Sequence, residues 1–258
     1  VRLLKISGKC VRMDSKLIGS NIACQSRYEL IHTTLVQFLQ ANTLSRLSAE
    51  QQEQAKVYLG EDSSKTVYRS DAETLQSRLS QIGGFIMEVL AAYPDSVSFH
   101  SLLKRVFGEQ YTVEDGRAVL RDKKSIKADS LQNPNDPDAS YRDKHGKRVQ
   151  GYVTNITETV EEGKPGIITS VQVETAVFAD CHFLKDAVEN SERVTNSTIE
   201  DVYADGAYQS PENREFAKEH NDMQLKTGKM QGGCRWELIP HDKLRSEERV
   251  SRNAETDL

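Results

Sequence analysis

The sequence predicts an α/β protein with a mixed β-sheet and a large all-helical insertion after the first strand. Apolar patterns typical of strands occur near the N-terminus and again from Val149 onward, whereas the residues between them follow helical spacing. We therefore expect five segments in chain order: the first strand of the core, a helical insertion, a basic connecting loop, the remainder of the core and a truncated polar tail. Their bounds are residues 1–25, 26–120, 121–148, 149–233 and 234–258.

Composition excludes several classes of protein. The chain has 258 residues with 37% hydrophobic content, enough for a sizeable core, and no apolar run approaches the ~20 residues of a membrane span. Its four cysteines are too scattered for a disulfide framework or a Cys-x-x-Cys zinc site, and its six histidines show no zinc-ligand spacing. The net charge of −5 means that any nucleic-acid binding must be local. We expect a cytoplasmic protein without a membrane partner.

An acid interrupts the first predicted strand, residues 9–21. Asp14 stands among the apolar residues Val11, Met13 and Leu17. Burying a carboxylate there costs several kcal/mol unless it is paired or binds a metal ion. Either Asp14 is a metal ligand, or it caps a turn between two short strands.

Helical periodicity fills residues 26–119. A polar helix opens at residues 48–51, and a long helix ends before Pro94. Such a block either covers a site or clamps a partner, or it is a helical bundle that only packs. We expect it to contribute no strand to the central sheet. The apolar residues that recur at spacings of three and four are Tyr28, Ile31, Leu35, Phe38 and Leu39, then Leu75, Leu79, Ile82, Phe85, Ile86, Val89 and Leu90.

Cations cluster in residues 121–148, on both sides of an Asn-Pro-rich stretch at 133–138 that cannot form regular structure. Tyr141 lies among these cations. A cationic loop with an aromatic residue suits a phosphate backbone, although most such runs are simply solvated surface. The candidate DNA-binding residues are Lys123, Lys124, Arg142, Lys144, Lys147 and Arg148.

The second half of the chain predicts the rest of the sheet. Residues 149–159 and 167–178 alternate as an antiparallel hairpin, and a helix near Phe183 makes the crossover to a parallel strand that ends at Asp205. Ser210-Pro211-Glu212 has the form of a helix start, and a short last strand follows at 223–225. The order of strand, helical insertion, hairpin, helix, strand, helix and strand predicts a mixed sheet of ribonuclease-H type.

Asp205 lies where a buried strand stops, at the crevice in which open α/β sheets bind ligands. Because Asp-Gly is also an ordinary turn signal, a simple strand-to-helix turn is the alternative interpretation. If its strand runs parallel beside that of Asp14, the two carboxyl carbons should lie within roughly 4 to 8 Å, and a divalent cation would relieve their repulsion. Mg²⁺, or Mn²⁺ in its place, is the expected cofactor.

Four motifs occur in order along residues 9–233: Asp14-Ser15 within RMDSKLIGSN, the segment DPDASYRDKHGKRVQGYVTNITET, FAD ending at Asp180, and ADGAY around Asp205. Together they resemble a DDE-type transposase of a bacterial insertion sequence, with a helical insertion after the first catalytic acid. The resemblance implies that Asp14 and Asp205 are the first and second catalytic acids and the metal ligands. It makes Asp180 an auxiliary residue or the cap of the crossover helix. It also implies that transposon ends and target DNA are partners and that the protein forms a homo-oligomer on DNA.

Two parts of the family's pattern have no counterpart in this sequence. The resemblance implies a third acid, a Glu on a helix beyond the second Asp, but Glu237, Glu247, Glu248 and Glu255 lie in a stretch without the matching motif. It also implies a domain that binds DNA ends, yet only thirteen residues precede Asp14. We therefore expect an interior fragment that binds DNA feebly and is inactive alone. Two alternatives stay open: a non-catalytic remnant that binds DNA or a full-length transposase, and an unrelated metal-dependent nuclease or hydrolase.

Overall fold

The computed structural model describes residues 4–144 and 146–227, which form an α/β protein. Over these residues there are eight strands and seven α-helices. The strands are β1 (Cys10–Gly19), β2 (Tyr111–Glu114), β3 (Arg117–Leu120), β4 (Ser140–Lys144), β5 (Lys147–Thr159), β6 (Ile168–Thr175), β7 (Asp201–Ala204) and β8 (Gln224–Thr227). The helices are α1 (Arg27–Ala41), α2 (Ala49–Gly60), α3 (Ser63–Arg69), α4 (Ala72–Ala92), α5 (His100–Gln110), α6 (Leu184–Thr195) and α7 (Pro211–Glu219).

Six of the strands form one mixed sheet. Its order is β4-β5-β1-β7-β8, and β6 also pairs with β5. β1 and β7 are parallel, as are β7 and β8, whereas β4 and β5 are antiparallel. A mixed sheet whose first strand is followed by a helical block confirms the predicted fold class at this level.

The chain divides into two compact units, and the first comprises residues 4–14, 155–172 and 179–227 of the described chain. Its central strands bury alternate residues, as expected for a sheet with one covered face. The buried residues of β1 and β7 here are Val11, Met13, Val202 and Ala204. Helix α6 buries the stripe Leu184, Ala187 and Val188. The Ser191 Oγ of α6 lies 2.7 Å from the Thr169 Oγ1 of β6, so this helix packs against the sheet.

Local signals in the second half of the sequence are confirmed. The Thr159 backbone N–H donates to the Ile167 carbonyl at 2.9 Å, which closes the hairpin of β5 and β6. α6 then connects this hairpin to β7, which runs parallel to β1. α7 begins at Pro211, and the Ser210 Oγ accepts from the Asn213 backbone N–H at 3.1 Å as its N-cap.

The second unit comprises residues 15–144, 146–154 and 173–178, and it contains α1 to α5. Capping boxes start α1 at Ser26 with Glu29 and α2 at Ser48 with Gln51, so polar side chains satisfy the first backbone N–H groups of both helices. Among the described helices, none combines the length and the apolar character that a membrane crossing requires. The helices share one hydrophobic core, whose largest members include Tyr28, Ile31, Phe38, Ile82, Phe85 and Leu103.

The insertion is not all-helical, and that part of the prediction is wrong. β2 and β3 form an antiparallel hairpin around Asp115 and Gly116, whose φ angles of 49° and 72° suit a tight two-residue turn. The Asp-Gly dipeptide is the sequence signal for this hairpin, which helical periodicity does not detect. Within the described part of the insertion, β2 and β3 pair only with each other, and no strand joins the six-strand sheet.

The segment at 121–148 is likewise not a loop throughout. β4 lies within it and pairs with β5, although its sequence, SYRDK, is charged as edge strands often are. The Asn-Pro-rich stretch between is irregular, as predicted, and Asp136 anchors it by accepting hydrogen bonds from the Ser20 Oγ and the Tyr152 hydroxyl. These bonds hold the pKa of Asp136 below its usual range, and the bond to Asp136 raises the pKa of Tyr152 to about 12.

Two neighbouring glycines of α4 provide a matched test of packing in the helical block. A Cβ at Gly83 would lie 2.3 Å from the Tyr111 ring, which is buried and pinned by its hydroxyl bond to the Leu79 carbonyl, whereas a Cβ at Gly84 meets nothing within 4 Å. Gly83→Ala should therefore lower the free energy of unfolding by about 1–3 kcal/mol through overpacking. Gly84→Ala should raise it by up to about 1 kcal/mol through helix propensity. Urea unfolding of both variants measures these changes, and shifts of the same sign would contradict the packing of α4 on Tyr111.

Candidate metal centre

Asp205 is the first residue beyond β7 and begins a 3₁₀ turn at Gly206–Tyr208. Its Oδ1 accepts from the Ala207 backbone N–H at 2.8 Å, and the residue is exposed. Asp205 therefore is the N-cap of a turn at the end of a buried strand, as the simpler interpretation requires. A carboxylate has about four lone-pair sites, so this one bond does not prevent Asp205 from binding a cation as well.

Asp14 lies in the middle of β1, which continues to Gly19. The alternative that Asp14 caps a turn between two short strands is therefore wrong. Asp14 thus lies inside its strand, whereas Asp205 follows the end of β7. Asp14 is exposed, whereas Met13 beside it is buried, because successive strand residues point to opposite faces.

The register of β1 on β7 determines where the two acids lie along their strands. Cys10 pairs with Asp201 and Arg12 pairs with Tyr203. The ladder ends there; if the register were continued for two more residues, beyond the end of β7, it would set Asp14 opposite Asp205. Neighbouring strands are about 4.8 Å apart, and paired positions of parallel strands send their side chains to the same face. Both predicted acids are exposed, and strand alternation gives them the same direction as Arg12 and Tyr203.

The strand positions next to the two acids carry two ion pairs and the ring of Tyr203. Arg12 forms an ion pair with Glu158 of β5. Lys226 of β8 contacts Asp201 at 2.8 Å and the Tyr203 hydroxyl at 3.2 Å, and these hydrogen bonds raise the pKa of Lys226 above its usual value. Together with Asp14 and Asp205, these residues comprise four carboxylates and two cations, and the exposed Lys16 of β1 has the same alternation as Asp14. Such an excess of negative charge favours a divalent cation and disfavours a bare phosphate.

Asp180 is only 4% exposed and begins a 3₁₀ turn, Asp180–Phe183, before α6. The N-cap of α6 is Phe183, without a side-chain cap, so the alternative that Asp180 caps the crossover helix is wrong. The intervening turn is the reason, since it moves the helix start away from Asp180. Across the described residues, no group of three or more His, Cys, Asp or Glu side chains is placed to hold a metal ion. The auxiliary role of Asp180 stays a prediction.

The six candidate DNA-binding residues lie in the second unit and differ in their surroundings. Lys123 and Lys124 are exposed on a 3₁₀ turn, and Lys144, Lys147 and Arg148 are exposed around the turn from β4 to β5. Arg148 Nε lies 3.6 Å from the Asp143 carboxylate. These five positions are accessible to a phosphate backbone.

Arg142 differs from the other five cations. It is half-buried, and its guanidinium donates to the Ala176 carbonyl at 3.2 Å and to the Phe178 carbonyl at 3.1 Å. Because Arg142 ties β4 to the chain after β6, we assign it a structural role.

The sequence analysis assigned no role to three buried polar residues, which are Tyr208, Asn155 and Asn213. The Tyr208 hydroxyl donates to Asn155 Oδ1 at 2.7 Å. Asn213 Nδ2 donates to the Tyr208 carbonyl at 2.7 Å and to the Cys181 carbonyl at 2.8 Å. The sequence could have indicated Asn155, because an amide on the buried face of a strand requires hydrogen-bond partners. No sequence signal identified Asn213, whose partners are backbone carbonyls.

No protein-family model, curated protein or solved structure matches this chain. The candidates for a third acid, Glu237, Glu247, Glu248 and Glu255, lie outside the described residues.

The contrast between Arg142 and the exposed lysines can be tested by DNA binding. Each of Lys123→Ala, Lys124→Ala and Lys147→Ala should leave stability unchanged and reduce the slope of log affinity against log salt by about 0.9 per lost phosphate contact. Arg142→Ala should instead lower the free energy of unfolding by about 1–3 kcal/mol, because two carbonyls lose a charged donor.

Fluorescence anisotropy with a labelled duplex at several salt concentrations, together with urea unfolding, measures both effects. Lys56→Ala is the control, since Lys56 is an exposed lysine of α2 outside the candidate set. Equal salt slopes for all the lysine variants and the wild type would remove these residues from the DNA-binding surface.

Proposed function

We propose that this chain carries catalytic residues of a DDE-type transposase, which cuts DNA and joins a 3′-hydroxyl to a target phosphodiester with Mg²⁺ or Mn²⁺. The observation that carries the proposal is the parallel register of β1 and β7, which would align Asp14 with Asp205 if it continued two residues beyond its last pair. These are the two acids that the motif resemblance assigns to catalysis. Transposon ends and target DNA, together with further copies of the transposase, are the proposed partners.

The sheet topology supports a ribonuclease-H-like fold for this core. β1 lies between β5 and β7. Val160 N–H donates to the Cys10 carbonyl and Ser20 N–H donates to the Gln150 carbonyl, so β5 runs antiparallel to β1. On the other side, β7 and β8 are parallel. A central first strand with an antiparallel hairpin on one side and parallel strands on the other is the arrangement predicted from the sequence.

Asp14 and Asp205 fit the ligand chemistry of a hard divalent cation. Mg²⁺ binds through one or two carboxylates and completes its shell with water and substrate phosphate oxygens. Both acids are exposed on one face, and the neighbouring cations Arg12 and Lys226 are engaged by Glu158 and Asp201. When bound, the ion supplies Lewis-acid activation of the attacking hydroxyl and neutralises charge on the phosphate.

The chain's own residues supply rigidity and charge. Asp14 lies within strand β1, and the Ala207 N–H donates a hydrogen bond to the Asp205 carboxylate. A preorganised pair of carboxylates binds a cation without first losing much conformational freedom. Exposed cations such as Lys123 and Lys147 are proposed to contact the DNA backbone.

The proposal is tested by Mn²⁺ titration of the wild type and of Asp14→Asn and Asp205→Asn, followed by electron paramagnetic resonance. Each substitution keeps the side-chain volume and removes a charged oxygen ligand, so we expect the affinity for Mn²⁺ to fall by at least about tenfold. Asp186→Asn is the matched control, because Asp186 is an exposed acid of α6. It should leave the affinity unchanged.

The same variants decide between the transposase and the alternatives. Any divalent-ion-dependent cleavage or joining of DNA that carries the flanks of the gene should fall by at least about a hundredfold in Asp14→Asn and in Asp205→Asn. Unchanged Mn²⁺ binding in both variants would remove the metal site from the proposal. DNA binding by a wild type that neither binds Mn²⁺ nor cleaves DNA would favour the non-catalytic remnant.

A further inference from the structure

We propose that Asn213 is a positioning residue that, together with Tyr208 and Asn155, fixes the turn carrying Asp205 relative to the turn carrying Asp180. The inference rests on the proposed function, because its consequence is the cation affinity of Asp205. Tyr208 lies within the ADGAY motif and Asn155 within the segment that ends VTNITET, but neither they nor Asn213 is among the acids assigned to catalysis.

Asn213 bridges the two turns directly. It is 8% exposed and lies in the first turn of α7, where the Ser210 cap and Pro211 fix the helix start. Its Nδ2 donates to the Cys181 carbonyl of one turn and the Tyr208 carbonyl of the other, at 2.8 and 2.7 Å. A primary amide nitrogen has two hydrogens, so both are used. An aspartate of the same size has no such donor and would repel both carbonyls.

Tyr208 and Asn155 form a second hydrogen-bonded connection between the two turns. Both residues are 0% exposed, and the Tyr208 hydroxyl donates to Asn155 Oδ1 at 2.7 Å. Asn155 Nδ2 donates to Gln172 Oε1 at 2.9 Å, and Gln172 Nε2 donates to the Phe183 carbonyl at 3.4 Å.

Phe183 ends the same 3₁₀ turn that Asp180 begins, and Cys181 lies between them. The hydrogen bonds therefore form a closed ring from one turn to the other and back. We call this set, made of Cys181, Asn213, Tyr208, Asn155, Gln172 and Phe183, the polar ring.

The polar ring reaches the Asp205 carboxylate through one short turn. Tyr208 ends the 3₁₀ turn that Asp205 caps, and Ala207 between them donates to Asp205 Oδ1. The hydrogen bonds of the Tyr208 hydroxyl and of the Tyr208 carbonyl thus fix the position of the Ala207 N–H. Through that N–H they fix the orientation of the Asp205 carboxylate. Buried polar networks contribute little net stability compared with apolar packing of the same shape, but they specify one geometry. Outer hydrogen bonds of this kind commonly tune the affinity of metal ligands.

The test compares Tyr208→Phe and Asn213→Asp with the wild type in Mn²⁺ titration, urea unfolding and hydrogen exchange of the Ala207 amide. We expect the dissociation constant for Mn²⁺ to rise about tenfold in both variants. The Ala207 amide should exchange faster than in the wild type. Tyr208→Phe keeps the ring and its volume, so it decides the outcome if Asn213→Asp does not fold.

Tyr111→Phe is the matched control. Tyr111 is a buried tyrosine of the helical block whose hydroxyl donates to the Leu79 carbonyl at 2.7 Å. Its loss should lower the urea midpoint about as much as Tyr208→Phe does, because each removes one buried hydrogen bond. It should leave the Mn²⁺ affinity and the Ala207 exchange rate unchanged.

Asp205→Asn in the same titration separates the two proposals. If Asp205→Asn weakens Mn²⁺ binding while Tyr208→Phe and Asn213→Asp keep the wild-type affinity, the polar ring is merely structural and the inference alone is overturned. If Asp205→Asn changes nothing, the proposed metal site fails and the inference fails with it.

Discussion

The parallel hydrogen-bond ladder between β1 and β7 is the constraint on which the candidate site depends. It pairs Arg12 with Tyr203, and its continuation by two residues would set Asp14 opposite Asp205. Because side chains alternate along a strand, a slip of one residue would send Asp205 to the opposite face from Asp14. The same slip would expose buried residues such as Val202, at about 1.5–3 kcal/mol for each large apolar side chain. The alternation that buries the core residues of β1 and β7 therefore also determines the direction of the Asp14 and Asp205 side chains.

The two acids are held by different means. Asp14 lies within a continuous strand, so its backbone position follows from the sheet. Asp205 lies beyond the end of β7, where a turn and the polar ring replace the ladder. Changes in the buried residues around Tyr208 should therefore affect Asp205 far more than Asp14. Burial of Asn155 and Tyr208 excludes water from these hydrogen bonds, which makes each one directional and costly to leave unmade.

Local signals in the sequence predicted most element starts, and long-range contacts account for the failures. Ser210 followed by Pro211 predicted the start of α7, because a cap and a fixed φ act within a few residues. The hairpin around Asp115 was missed, since its short strands pair only with each other and carry little periodicity. β4 was missed because its residues are charged and its strand character comes from pairing with β5. Arg142 was read as a surface cation, and only its contact with the chain after β6 shows its structural role.

Charge on the acid-bearing face determines what can bind there. Arg12 and Lys226 are matched by Glu158 and Asp201, and Asp14 and Asp205 add further negative charge in the next row. Like charges repel, so this excess of carboxylates disfavours a bare phosphate. The distance between the Asp14 and Asp205 carboxyl carbons tests this account most directly, in a crystal structure of the protein grown with Mn²⁺. The account predicts roughly 4 to 8 Å with one anomalous peak between the carboxylates, and a separation beyond about 12 Å without such a peak would contradict it.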